Sequence, residues 1–216
     1  MVYNGELYNT EEIRQELLEA GYTFKGHSDT EVLLKAYVCF GEKVVEKLNG
    51  IYAFAVWNSK EQSLYVARDR AGVKPLYYCL LPDGLIFASE QKQILQYTRK
   101  NEITLEGFKE LLGVGPSHTP GHGLYKGIEE LKPGYYMKVS AGHVELTQYW
   151  ELEANEHKDD FETTVAKTRE ILLDAIKRQL VSDVPLCTFL SGGIDSSAIT
   201  AIAASQMKNL HTFSID

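Results

Sequence analysis

Long apolar runs are missing from this sequence. The longest, 51–57, is far too short to cross a bilayer, so no membrane span is expected, and no leader-like segment opens the chain. Cysteine is scarce: Cys39, Cys79 and Cys187 stand alone in apolar contexts with no CxxC pair. That excludes a disulfide scaffold or a zinc ribbon and suits buried thiols in a reducing cytoplasm. Clustered Lys and Arg are absent too. With a formal net charge of −8 spread over 216 residues, the chain offers no nucleic-acid surface, and its acidic excess reads as a solubility feature. What remains is ordinary for a globular protein, 44% hydrophobic and 24% charged with thirteen tyrosines, and long enough for one large domain or two small ones.

The chain begins MVYNGELYN. Asn4-Gly5 is a strong turn signal, because both residues tolerate a positive φ. A hairpin here would leave a first strand of only two or three residues, so the pair is either a turn or part of a site. Asn9-Thr10-Glu11-Glu12 reads as a capping box for a helix that carries Ile13, Leu17 and Leu18 and stops at Gly21. Ser28-Asp29-Thr30-Glu31 opens a second helix with Val32, Leu33, Ala36 and Tyr37 on one face, ending at Gly41. Val44, Val45 and Leu48 mark a shorter third.

Residues 51–57, 63–69, 76–81 and 85–89 are then apolar, aromatic and β-branched, separated by turn signals such as Asn58-Ser59 and Pro82-Asp83-Gly84. Short connections predict antiparallel neighbours, and strands 51–57 and 85–89, apolar on both faces, predict a sheet covered on both sides. A helix near 104–112, a Gly/Pro/His-rich loop and a hairpin over about 134–150 complete an α+β layered domain. A charged, aperiodic linker covers 151–160. After it come a helix over 161–180, a strand over 184–190, a helix over 197–207 and a strand over 210–215, the start of a parallel α/β unit.

The stretch LCTFLSGGIDSSAIT, 186–200, runs an apolar strand into Ser191-Gly192-Gly193, then Asp195-Ser196-Ser197 and a helix. Two glycines allow close approach to the backbone, and a helix N-terminus favours an anion. The hydroxyls of Ser191, Ser196 and Ser197 add donors, while Asp195 would repel a bare phosphate and so suggests an intervening Mg²⁺. No lysine is present, which excludes a Walker loop. The motif resembles the pyrophosphate-binding loop of the ATP-pyrophosphatase superfamily. That resemblance implies ATP binding by Leu190, Ser191, Gly192, Gly193, Asp195, Ser196, Ser197 and the backbone of Ile215, with Mg²⁺ held by Asp195 together with pyrophosphate.

Beside that loop, YNGELYN resembles the Asn-Gly-Glu of class II glutamine amidotransferases. GHSDTEVLLKAY (26–37), LNGIYAFAVWN (48–58), ARDRAGVKPLYY (67–78), FASEQKQIL and LKPGYYM extend the likeness, in order, to glutamine-hydrolysing asparagine synthetases. The resemblance implies an α+β N-terminal domain over 1–150, of the four-layer αββα N-terminal-nucleophile type with antiparallel sheets and its first strands missing. A linker over 151–160 and the start of a parallel-sheet ATP-pyrophosphatase domain over 161–216 follow. It implies that the Asn4 side-chain amide and the Gly5 N–H form an oxyanion hole, that Asp29 pairs with the α-ammonium of glutamine, and that Glu6 lines the same pocket. The family's reaction hydrolyses glutamine, activates aspartate as β-aspartyl-AMP with Mg·ATP and releases asparagine, AMP and pyrophosphate.

One departure is large. The family's nucleophile is an N-terminal cysteine, and neither it nor the arginine that grips the substrate carboxylate is present. The chain is therefore expected to lack both flanks of its sites and to be inactive alone. Two other readings stay open: a β-lactam-synthetase-like amide ligase with a dead glutaminase domain, and a non-catalytic fragment. Glutamine, aspartate and ATP are the expected small-molecule substrates, with no nucleic-acid or membrane partner, and a homodimer is left open. Arg68-Asp69-Arg70 reads as a structural ion-pair cluster, His118 and His122 as no zinc site, and His27 as a solvated loop residue.

Overall fold

The structure is a computed structural model, and it describes residues 1–99, 101–115, 119–182 and 184–215. It divides into two compact units, Met1–Leu152 and Glu153–Asp216.

In the first unit the helix signals place the first core. Helix α1, Thr10–Glu19, buries Ile13 and Leu17; α2, Asp29–Phe40, buries Val32, Leu33 and Ala36; α3, Val44–Lys47, buries Val44 and Val45. The Ser28 hydroxyl accepts the Thr30 N–H at 3.1 Å to cap α2, and Gly41 ends it at φ +60°. The cap expected at α1 differs. Asn9 donates its amide N–H to the Lys47 carbonyl and accepts the Asn49 N–H, 2.9 Å each, so its side chain pins α3's exit instead.

These helices cover one face of a five-stranded antiparallel sheet, ordered β1-β2-β3-β7-β8: β1 Val2–Leu7, β2 Gly50–Asn58, β3 Ser63–Arg68, β7 Tyr135–Ser140 and β8 His143–Gln148. Strand β2 shows how alternation sorts the layers. Tyr52, Phe54 and Val56 join the helix-side core, whereas Ala53 and Ala55 face the other way. Small residues on that second face admit another sheet, ordered β5-β4-β6: β4 Tyr77–Leu81, β5 Gly84–Ala88 and β6 Glu129–Glu130. Leu76 and Tyr78 pack there with Val66, Leu131 and Met137. Helix α4, Gln91–Thr98, with Ile94 fully buried, lies against β4 and β5, and α5, Leu105–Gly113, follows. This is the layered antiparallel α+β arrangement that the strand and helix signals imply.

Two expectations need correcting, and one helix was not anticipated. Antiparallel neighbours form at β2–β3 and β4–β5, but β3 pairs with β7 and β4 starts the second sheet, so the connection between β3 and β4 changes layers. Strand β5 is only half-buried, not covered on both faces. Helix α4 has no counterpart in the hydrophobic pattern, although a capping box, Glu90 with Gln93, announces it.

In the second unit, α6, Phe161–Arg178, precedes a β9-α7-β10 crossover: β9 Cys187–Phe189, α7 Ile194–Gln206 and β10 His211–Phe213, the two strands being parallel. The strands are shorter than their apolar runs, and α7 begins before Ser197, so Asp195, Ser196 and Ser197 are already helical. Asp160, placed in the linker by composition, caps α6 by accepting the Thr163 N–H at 2.8 Å. Among this unit's described residues only Ile176 and Ala203 are buried hydrophobics. No helix among the described residues is long and apolar enough to cross a membrane.

Candidate functional site

Asn4-Gly5 is not a turn. Both residues lie inside β1, opposite Ala53 and Tyr52 of β2. The Tyr52 carbonyl accepts the Asp69 N–H at 2.8 Å and the Tyr52 N–H donates to the Asp69 carboxylate at 3.2 Å, so both Tyr52 backbone groups face away from β1. Gly5 therefore sits in a non-hydrogen-bonded pair, the closely spaced kind, and its own N–H points away from β2, to the side of β1 on which no described strand pairs. The spacing is tight: a Cβ on Gly5 would lie 2.2 Å from the Ile51 carbonyl oxygen, 2.7 Å from Tyr52 Cα and 2.9 Å from Tyr3 Cε2. Gly5 is thus glycine for closeness; its φ is not positive.

The Asn4 side chain leaves β1 on the sheet–sheet side. Its amide N–H reaches the Ser89 hydroxyl at 3.4 Å, and it lines an open cavity of about 150 Å³ with Val2, Ala53, Ala55, Leu76 and Phe87. Glu6, two residues on, projects from the same face and is exposed. Tyr3 leaves on the opposite, helix-side face and donates its hydroxyl to Asp29 Oδ2 at 2.9 Å. Burial, then the Asp29 carboxylate, push the Tyr3 phenol well above the ordinary tyrosine value, so it stays a donor. Asp29 is the first residue of α2, half-buried, and Thr30 Oγ1 donates to its Oδ1 at 3.3 Å.

The loop before Asp29 is pinned by Glu31, whose carboxylate accepts the Gly26 N–H at 2.9 Å, the Lys25 N–H at 3.0 Å and the Lys35 ammonium at 2.5 Å. The Lys35 ammonium and then the two backbone N–H groups hold the Glu31 carboxyl down at about 2. Phe24 lies between Arg14 and Lys35, each 4.4 Å from its ring centre, and Arg14 donates to the Gly26 carbonyl at 3.0 Å. His27 is exposed. Neither Tyr3 nor Glu31 was singled out as a site residue by sequence. A tyrosine before Asn-Gly and a glutamate two places after Asp29 were the only signals.

Arg68-Asp69 is structural, as its sequence suggested. Arg68 meets Glu130 at 2.9 Å with both side chains buried, and it donates to the carbonyls of Gly72, Lys74 and Leu131. The Asp69 carboxylate accepts the N–H groups of Tyr52, Val73 and Lys74. The three cysteines are free: Cys39 on α2, Cys79 on β4 and Cys187 on β9. His122 lies 3.5 Å from Glu110. His118 falls outside the described residues. Among those described, no group of three or more His, Cys, Asp or Glu side chains could hold a metal ion.

In the second unit, Gly192 takes φ +81° between β9 and α7, and Gly193 caps α7 with no side-chain acceptor on its first N–H groups. A Cβ on Gly192 would meet nothing within 4 Å, so the loop backbone is open. Ser191 and Ser196 share a 3.0 Å hydrogen bond between hydroxyls, and the Ser196 hydroxyl also reaches the Gly193 carbonyl. Asp195 lies exposed in the first turn of α7. Leu190 donates its N–H to the Phe213 carbonyl, and the Ser214 hydroxyl donates to the Leu190 carbonyl, which sets Ile215 beside the loop, 96% exposed.

The chain belongs to the glutamine amidotransferase domain family, whose model matches residues 1–150. Residues 167–216 match the asparagine synthase family. Among curated proteins, the chain is 50% identical over 222 residues to the glutamine-hydrolyzing asparagine synthetase 3 of Bacillus subtilis (strain 168), covering 100% of this chain and 36% of that protein. With asparagine synthetase 1 of the same organism it is 36% identical over 220 residues, covering 100% and 34%. The chain thus spans about a third of the length of these relatives. Among solved structures, a glutamine phosphoribosylpyrophosphate amidotransferase from B. subtilis aligns at 20% identity with a TM-score of 0.47, over 99% of this chain and 44% of that one.

Proposed function

We propose that this chain is the glutamine-binding part, and the opening of the nucleotide-binding part, of a glutamine-hydrolysing asparagine synthetase. The observation that carries the reading is the outer side of β1, on which no described strand pairs. There the outward Gly5 N–H lies between an Asn4 amide on one face and, through Tyr3, the Asp29 carboxylate on the other. Two N–H donors at a strand edge suit the oxyanion of a tetrahedral intermediate, and losing one such donor typically costs roughly a hundredfold or more in rate. A carboxylate at α2's start suits the substrate's α-ammonium, with Glu6 lining the same pocket. The attacking thiol is none of Cys39, Cys79 or Cys187, since they lie inside α2, β4 and β9, so this chain by itself releases no glutamate from glutamine.

The loop over 190–197 fits a nucleotide diphosphate: open glycine backbone, uncapped N–H groups at the start of α7 and paired serine hydroxyls. Asp195 would hold Mg²⁺ jointly with phosphate oxygens, and Ile215 would lie against the base. When bound, Mg·ATP supplies the activating group for a carboxylate; the chain's own residues bind the diphosphate and set its orientation. The names of the relatives, asparagine synthetases, support aspartate as the ammonia acceptor. An intact Asn4, Gly5 and Asp29 set favours glutamine hydrolysis over an amide ligase with a dead glutaminase domain.

Calorimetry on the chain tests both halves. L-Glutamine is expected to bind, with Asp29→Asn weakening it by roughly tenfold or more, the effect of losing a charged hydrogen bond. Mg·ATP is expected to bind, with Ser191→Ala weakening it and leaving glutamine unaffected. Absence of both interactions, or glutamate release by the wild-type chain, overturns the reading.

A further inference from the structure

We infer that Tyr3 is a positioning residue for substrate, holding the Asp29 carboxylate in register with the oxyanion donors of Asn4 and Gly5. The inference rests on the glutamine-pocket reading above and goes beyond it. Tyr3 and Asn4 are adjacent in β1 and point to opposite faces, so whatever fixes Tyr3 also fixes the offset between the two ends of the pocket. Three observations converge on this coupling. The Tyr3 hydroxyl donates to Asp29 Oδ2 across 26 residues of sequence, leaving Oδ1 to the shorter-reaching Thr30 hydroxyl. The Tyr3 ring lies over Gly5, close enough that a Cβ there would strike it at 2.9 Å, so the glycine offering its N–H also makes room for the ring. On the α2 side, Glu31 ties the loop at Lys25 and Gly26, so the helix start is held from below while Tyr3 holds it from the strand. Burial and Asp29 keep the phenol protonated at neutral pH, and Asp29 faces a permanent donor.

A carboxylate aimed by a strand reads the α-ammonium at a set distance from the amide. Tyr3 therefore governs discrimination between glutamine and a chain of equal length lacking the ammonium.

The test uses the full chain and two ligands, L-glutamine and glutaramate, which keeps the amide and carboxylate but has no α-ammonium. Tyr3→Phe retains the ring over Gly5 and removes only the hydroxyl. It is expected to weaken glutamine roughly tenfold, leave glutaramate within about twofold, and leave the urea midpoint near wild type. In an Asp29→Asn background the same substitution is expected to change glutamine binding no further. A Tyr3→Phe chain that discriminates as wild type does overturns the inference alone, as does an effect that persists undiminished with Asn at 29, which would assign Tyr3 to packing. A wild-type chain with no preference for glutamine over glutaramate overturns the pocket reading and this inference together.

Discussion

Gly5→Ala is expected to destabilise the first unit although alanine is ordinarily the better residue in a strand. The new Cβ would sit 2.2 Å from the Ile51 carbonyl oxygen and 2.7 Å from Tyr52 Cα, both backbone atoms of a strand buried on both faces. Those atoms cannot rotate away. Ordinary contact needs about 3.5 Å, so β1 must move outward by roughly an ångström, lengthening its flanking ladder bonds. Overpacking of this kind costs about 1–3 kcal/mol, and the upper part of that range applies because backbone must shift. The edge position of β1 limits the cost, since nothing described pins its outer side. Replacing glycine gives back about 0.5–1 kcal/mol of backbone entropy. The net loss is about 2 kcal/mol, a fall of roughly 4–8 °C in Tm for a unit of this size. The protein's two tryptophans, Trp57 and Trp150, both lie in Met1–Leu152, so tryptophan fluorescence during urea unfolding reports this unit. Gly84→Ala is the control: a Cβ there meets nothing within 4 Å and φ is not positive, so it stays within about 0.5 kcal/mol of wild type. Coincident curves for the two variants would refute the close-approach account of Gly5.

Arg68→Met is expected to cost about 3–5 kcal/mol, because it removes the ion-pair partner of the buried Glu130 carboxylate, to which the Gly121 N–H also donates, and the donor to three carbonyls. Adding Glu130→Gln should recover part of that loss, and urea midpoints for single and double variants decide it; a single-variant loss under about 1 kcal/mol contradicts the burial argument. Glu31→Gln bears on acid stability. The folded carboxyl is held near 2, below the usual 4.5, so its stabilisation is complete above 4.5 and fades as pH falls from there toward 2. Midpoints measured across that window should fall less steeply for Glu31→Gln than for wild type, and parallel slopes would show that Lys35 and the Gly26 and Lys25 N–H groups do not hold the carboxylate.

Most of the fold was legible because local chemistry and tertiary packing agree. Ser28 and Gly41 bracket α2, and Val32, Leu33 and Ala36 repeat at the spacing that buries them. The unbroken apolar run of 51–57 marked a strand covered on both faces, although 85–89 carried the same signal and is only half-buried. The failures come where a partner distant in sequence decides. Connection length alone makes β3 and β4 neighbours, yet Tyr65 and Val66 pair with Lys138 and Met137, 73 and 71 residues on, and that pairing displaces β4 into the second sheet. Asn9 has the chemistry of a cap, but α3's exit competes for its amide and wins with two 2.9 Å bonds. In the second unit, apolar runs exceed the strands they contain: Val184 and Phe189 stay largely exposed, so hydrophobicity there does not measure a core this unit possesses.

The site shows the same division more sharply. The motifs marked Asn4, Gly5 and Asp29, but what local rules say about Asn-Gly is its tolerance of positive φ, and β1 makes no use of it. What β1 uses is the missing Cβ, a requirement set by the Ile51 and Tyr52 backbone that no window around residue 5 contains. The direction of the Gly5 N–H is likewise decided elsewhere, by Asp69 claiming both backbone groups of Tyr52 and so fixing which residues of β1 face the open edge. Asp69 thus orients the pocket's donor while touching neither Asn4 nor Gly5 in sequence or by hydrogen bond. Moving the register of β2 by one residue would turn that N–H inward and exchange the faces of Tyr3 and Asn4 together. Register, more than the identity of the two motif residues, is what sets an amide donor and a carboxylate on either side of one strand.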